Sequence, residues 1–167
     1  MNDRLTQSDI DKMQKEIEHR KLVLRKQLLE DVKEARSHGD LSENFEYYAA
    51  KKAKNQNESR IRYLERMVKT AHIIEDNSKD DEVGMNNQVT VLFEEDGSVE
   101  TYKIVTTVRG DSLHNLISIE SPLGKALMRH KEGDRVEVKV NDNYSYYVII
   151  QKIENTKDDD TDRIRSY

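Results

Sequence analysis

The single proline of this chain is Pro122, and no glycine precedes Gly39. Proline removes a backbone donor and clashes with the preceding turn, so its absence leaves nothing to break a helix in the first half. Residues 7–37 are rich in Lys, Glu, Leu, Gln and Arg, all good helix formers. Thr6 and Ser8 can cap the start, and Asp9 and Asp11 suit a first turn. Ile10, Met13, Ile17, Leu24, Leu28 and Ala35 recur at helical spacing as a discontinuous apolar stripe. A second helical pattern runs from about Glu43 to Thr70, with Ala50, Ala53, Ile61, Leu64, Val68 and Ala71 on its stripe and Asn57 as a polar interruption. Two narrow stripes with charge elsewhere predict two helices that bury mainly each other. The short connection makes them antiparallel. Thirty helical residues span roughly 45 Å, which places the turn at residues 38–42 far from the rest of the chain.

Beyond residue 87 the apolar period falls to two. Val89, Val91 and Phe93 alternate with polar residues, and Asp96-Gly97 is a hairpin signal. Tyr102, Ile104 and Val108 follow, then Leu116-Ile117-Ser118-Ile119. Pro122 opens a short helix through about Arg129, since proline favours the first helical position. Gly133-Asp134 precedes a strand at 135–140, and Asp142-Asn143 turns into Tyr144–Ile153. The expected fold class is α+β: a two-helix coiled coil over residues 1–75, a charged linker over 76–86, a small antiparallel sheet with one helix over 87–154, and a polar tail over 155–167.

Composition agrees and narrows the function classes. Charged residues make up 37% and the hydrophobic set 35%, which suits a solvated helical hairpin better than a compact globule. There is no cysteine, which removes disulfides, thiol nucleophiles and thiolate zinc sites. The N-terminus lacks an apolar leader and no stretch approaches a membrane span, so a cytoplasmic protein with no membrane partner is expected. The net charge of −5 is uneven. Residues 1–74 carry 16 Lys and Arg against 13 Asp and Glu, and the remainder carries 12 against 20. A mildly basic arm on an acidic body points to nucleic acid at the arm alone.

The turn holds the chemistry. Asp40 and Glu43 lie close together there, with Glu46 one turn further on. Two carboxylates can hold Mg²⁺ weakly, leaving it several waters and a need for ligands from elsewhere. Two-metal phosphoryl chemistry can use such a half-site. Arg36, Lys51, Lys52 and Lys54 stand beside it as candidate contacts to RNA phosphates. On spacing alone a structural role is favoured, since helix caps are far commoner than metal half-sites. Asp40 with Glu43 has capping-box spacing, and either Asp40 or Ser42 could cap the second helix. The five histidines show no ligand spacing, and Gly124-Lys125 is no phosphate loop.

The segment Gly39-Asp40-Leu41-Ser42-Glu43-Asn44-Phe45-Glu46-Tyr47 closely resembles the signature of the Gre transcript cleavage factors, nearer their GreA branch. So do Tyr48-Ala49-Ala50-Lys51, Ser59-Arg60-Ile61, and Ile73-Ile74-Glu75 at the hairpin's end. A second block, Asn115-Leu116-Ile117-Ser118 with Ser121-Pro122-Leu123-Gly124-Lys125-Ala126-Leu127 and Lys131-Glu132-Gly133-Asp134, resembles the family's C-terminal domain. The resemblance implies an N-terminal coiled coil and an FKBP-like C-terminal domain. It implies a monomer that docks on bacterial RNA polymerase, partly through Ser121 and Pro122, and sends its hairpin into the secondary channel. Asp40 and Glu43 would there share Mg²⁺ with the polymerase, which would cut the 3′ end of backtracked RNA. No tightly bound cofactor is implied, and the catalytic centre would be the polymerase's own. Phe45 departs from the family, which usually has Ala there. A paralogue that occupies the channel without cleavage is the alternative. A coiled-coil adaptor whose tip carries only helix caps, and a prolyl isomerase, are further readings; the FKBP-like fold does not itself imply isomerase activity.

Overall fold

The computed structural model describes residues 4–39, 44–156 and 164–165. The chain divides into two compact units, one over Ser8–His72 and the other combining Arg4–Gln7 with Ile73–Tyr167. No helix among the described residues is long and apolar enough to cross a membrane.

The first unit is the expected helical pair. Helices α1 (Gln7–His19) and α2 (Arg25–Arg36) are joined by a π-helical stretch at Arg20–Leu24, with helical backbone angles at both junctions. Helix α3 (Phe45–Thr70) is the partner arm. Near its base the seam is apolar, with Ile10, Met13, Ile61, Leu64 and Met67 buried. Towards the tip a smaller cluster joins Val32, Ala35 and Tyr47, with Ala50 against it. Between these the seam turns polar. Arg60 donates to both oxygens of Glu16 at 2.8 and 3.3 Å, and Arg20 donates to Glu16 and to Asn57. Arg25 grips Glu58 through two bonds of 2.7 and 2.9 Å.

The π stretch explains the broken stripe. A π turn carries an extra residue and rotates the next helical segment around the axis. Leu22 and Val23 consequently face solvent, and Val32 takes a seam position. Asn57, read as a polar interruption, lies buried beside that stretch and directs its side-chain amide toward the Arg20 carbonyl at 3.4 Å.

The second unit begins with a short ladder of β1 (Arg4–Leu5) and β2 (His72–Ile73). Its main sheet comprises β3 (Gln88–Phe93), β4 (Val99–Val105), β5 (Leu116–Ser118), β6 (Arg135–Asn141) and β7 (Tyr144–Glu154), in the order β5-β4-β3-β7-β6. Asp96-Gly97 forms the β3–β4 hairpin, with Gly97 at φ +73° and the Asp96 carboxylate accepting from Ser98. The α+β class holds. One edge departs from the antiparallel expectation, because β5 pairs parallel to β4. Two 3₁₀ turns, Thr107–Arg109 and Ser112–His114, lie in the connection that returns the chain to the same end of the sheet. Three residues are too few for an alternation that could reveal this from sequence.

The sheet core contains Val89, Val91, Ile104, Val138, Val148 and Ile150, covered by Leu127 of α4 (Pro122–Leu127). Val83 and Met85, within the stretch 76–86 read as a linker, are also buried in it. Two apolar residues around one glycine are too short a signal to stand out in a charged stretch. Helix α4 stops before Arg129, which adopts a left-handed φ of +67°.

Candidate functional site

Asp40 and Glu43, the acidic pair expected at the tip, lie outside the described residues, as does Ser42. The helix ends flanking them are described. Helix α2 closes at Ser37, whose N–H reaches the Lys33 and Glu34 carbonyls, and Gly39 follows at φ +109°. That left-handed angle suits glycine at a helix C-terminus.

On the other side Asn44 caps α3. Its Oδ1 accepts from the Tyr47 N–H at 3.0 Å, and its Nδ2 donates to the Ala35 carbonyl at 2.6 Å. One side chain therefore satisfies an orphan donor of α3 and an orphan acceptor of α2, drawing the two helix ends together. His38 and Glu46 form a second link at 3.0 Å. The expectation that Asp40 or Ser42 caps the second helix is corrected: helix α3 starts at Phe45, and Asn44 is its cap. Sequence offered several capping residue types in this stretch, and only the actual start of the helix selects among them.

The four candidate cations do not form one patch. Arg36 stands over the Tyr47 ring, 5.5 Å from its centroid. The Arg36 hydrogen bond holds the Tyr47 hydroxyl pKa below its ordinary value, with Lys51 and Lys54 adding to the effect. Those three cations therefore share one neighbourhood around Tyr47. Lys52 is exposed elsewhere on α3, and Lys54 is half-buried. Tyr47, which sequence reading did not single out, organises this group.

In the second unit, Ser121 is the N-cap of α4. Its hydroxyl accepts from the Gly124 N–H at 3.0 Å and donates to the Ser118 carbonyl at 2.6 Å. Pro122 is exposed at the first helical position. A Cβ on Gly124 would sit 2.0 Å from the Ser118 carbonyl oxygen, so glycine is required where the helix meets the loop.

No group of three or more His, Asp or Glu among the described residues could hold a metal ion. Asp40 and Glu43 supply hard oxygen donors of the type Mg²⁺ takes, but only two side chains, so further ligands would have to come from outside the chain.

Two family models cover almost the whole sequence. "Transcription elongation factor, N-terminal" matches residues 4–73, and "Transcription elongation factor, GreA/GreB, C-term" matches residues 77–155. This chain belongs to the GreA/GreB family of transcription elongation factors. Transcription elongation factor GreA of Macrococcus caseolyticus is 41% identical over 149 residues, 89% of this chain and 94% of that protein. Its counterpart in Mesomycoplasma hyopneumoniae strain 7448 is 38% identical over 145 residues, covering 87% and 91%. The solved structure of the transcription factor Gfh1 is 22% identical, covering 93% of this chain and 99% of that one at a TM-score of 0.45, a likeness too slight to bear on function.

Proposed function

We propose that this GreA/GreB family member rescues arrested transcription by helping bacterial RNA polymerase cut its own backtracked RNA. The helical unit enters the secondary channel and presents Asp40 and Glu43 at the polymerase active centre. There the two carboxylates hold Mg²⁺ jointly with polymerase ligands. The ion supplies Lewis-acid help to phosphodiester hydrolysis. Asp40 and Glu43 also orient the attacking water by accepting hydrogen bonds from it. Arg36, Lys51 and Lys54 attract RNA phosphates, while Pro122, at the start of the helix that Ser121 caps, contributes to docking. The chain brings no complete active site, so it acts as a cofactor of the polymerase rather than as an enzyme.

The observation that carries this reading is the cap. Asn44 performs the task that competed with a metal role for the acidic pair. Asp40 and Glu43 then lie in the sequence between two helix ends that are tied together without them.

The deciding experiment measures RNA shortening in a backtracked complex of the cognate polymerase. The unaltered protein is expected to accelerate cleavage, and Asp40→Asn to abolish most of that acceleration, because it removes the charge that holds Mg²⁺. Cleavage that survives Asp40→Asn would sink the metal role. Occupation of the channel by the unaltered protein without shortened RNA would make it an inhibitor instead.

A further inference from the structure

The side of α3 opposite the helical seam carries Phe45, Tyr48 and Lys52, spaced three and four residues apart and so on one face. Phe45 is 86% exposed and Tyr48 51%. Their neighbour Tyr47 is buried with Val32 and Ala35, and its ring meets the Tyr48 ring edge-on with centroids 5.5 Å apart. Lys51 and Lys52, three and four residues beyond Tyr48 on the helix, are both exposed. The helical unit makes little packing use of the Phe45 ring, which ranks among the most exposed large apolar side chains described.

We infer that Phe45 and Tyr48 form a stacking platform for an unpaired base near the 3′ end of the RNA, with Lys51 and Lys52 against the adjoining phosphates. Exposed aromatic rings interleaved with lysines are the chemistry of single-stranded nucleic-acid binding, where rings take base faces and cations follow the backbone. The alternative occupant, an apolar side chain of the polymerase, would gain nothing from the two lysines. Stacking is also tolerant of sequence, because every base has a π face. A factor acting wherever transcription stalls needs such a contact. Phenylalanine, having no donor or acceptor on its ring, cannot select a base by hydrogen bonding. This inference rests on the proposed function for bringing RNA to the tip, and it deepens that reading by assigning residues that grip the RNA without touching the metal.

The test places 4-thiouridine at the RNA 3′ terminus of a backtracked complex, with Mg²⁺ withheld so that the RNA stays whole. Irradiation is expected to crosslink the RNA to the peptide containing Phe45 and Tyr48. Phe45→Ala combined with Tyr48→Ala should cut the yield by about fivefold or more, the loss expected from removing base stacking. An absent crosslink, or one unaffected by both substitutions, overturns the platform. With Mg²⁺ restored and the factor below saturation, Phe45→Ala should slow cleavage about tenfold, Phe45→Tyr should restore it, and Phe45→Leu should stay as slow as alanine. A leucine variant as fast as the unaltered protein would mean an apolar protein contact and overturn the proposal. Asp40→Asn separates the two readings: it should remove cleavage and leave the crosslink intact. Cleavage surviving Asp40→Asn, with the crosslink retained, would sink the metal role alone. Loss of the platform with Asp40 dependence intact would sink the platform alone.

Discussion

Asn44 donates to the carbonyl of Ala35 across the tip at 2.6 Å while its other side-chain atom receives the Tyr47 N–H at 3.0 Å. Among side chains of this length, only asparagine carries both a donor and an acceptor on one planar amide. Asn44→Asp keeps the cap and loses the donor, placing a carboxylate oxygen against a carbonyl. Asn44→Ala loses both. Alanine should cost about 1–2 kcal/mol in urea unfolding, and aspartate less than alanine, since Asp caps as well as Asn. Both should reduce RNA cleavage, because the helix ends on either side of Asp40 and Glu43 lose a tie between them. Equal cleavage by Asn44→Asp and the unaltered protein would show that the link to Ala35 is dispensable.

The identity of the cap makes a second prediction, about stability rather than activity. Replacing a capping Asp by Ala costs about 0.5–2 kcal/mol. Since Asn44 caps α3, Asp40→Ala should change the unfolding free energy by less than about 0.5 kcal/mol, the range of an ordinary surface substitution. Its cleavage activity should nevertheless fall as far as that of Asp40→Asn. A loss of about 1 kcal/mol or more in denaturant unfolding would return Asp40 to a structural role.

Much of this arrangement was legible in the sequence, and the misses share a cause. The helical pair followed from absent breakers and apolar spacing, and the β3–β4 hairpin from Asp96-Gly97. The polar seam did not, because Glu16, Arg20 and Arg60 look like surface residues until the partner helix is in place. The π stretch at Arg20–Leu24 has no local signature, so the stripe read from the sequence passes through Leu24 and Leu28 and omits Val32, which the seam buries. The parallel β5 edge depends on a connection whose 3₁₀ turns have no clear periodicity. At the tip, residue types named the candidates for metal and cap, while the choice of Asn44 depended on where α3 begins. Phe45 was visible as a departure from the family, but its exposure is a fact of the fold.

The polar seam sets a pH dependence with a definite sign. Burial raises the Glu16 pKa, but hydrogen bonds from Arg60 and Arg20, aided by their charges, outweigh it and leave the group below its ordinary value. A depressed folded pKa means that the ionised carboxylate is favoured in the folded state. The resulting stability is fully present above the unfolded-state pKa of glutamate and is lost as pH falls through the lower folded value. Glu16→Gln should therefore destabilise the helical unit at neutral pH, by roughly 1–3 kcal/mol given charged hydrogen bonds to a partly exposed group. The gap to the unaltered protein should narrow as pH is lowered through the acidic range. Unfolding followed by helical circular dichroism at neutral and acidic pH measures both. A gap that stays constant with pH would mean that the loss comes from packing rather than from the charge on Glu16.

Gly124 gives the last test, on the unit that bears Ser121 and Pro122. Its Cα hydrogen faces the Ser118 carbonyl so closely that a methyl group there would lie 2.0 Å from the oxygen and 2.9 Å from the Ser121 Oγ. The first clash is with backbone, which cannot swing aside as a flexible side chain can. Gly124→Ala must therefore push α4 away from the loop, opening the contacts that Ser121 makes with Ser118 and Gly124. A cost of about 1–3 kcal/mol is expected, as for other overpacked sites. Ser121→Ala should cost about 1 kcal/mol, the usual value of a lost cap. The two losses should not add, because both break the same junction. Polymerase binding should weaken more in Gly124→Ala than in Ser121→Ala, since only the former displaces Pro122. Additive unfolding energies in the double variant, together with unchanged polymerase affinity, would separate this junction from docking altogether.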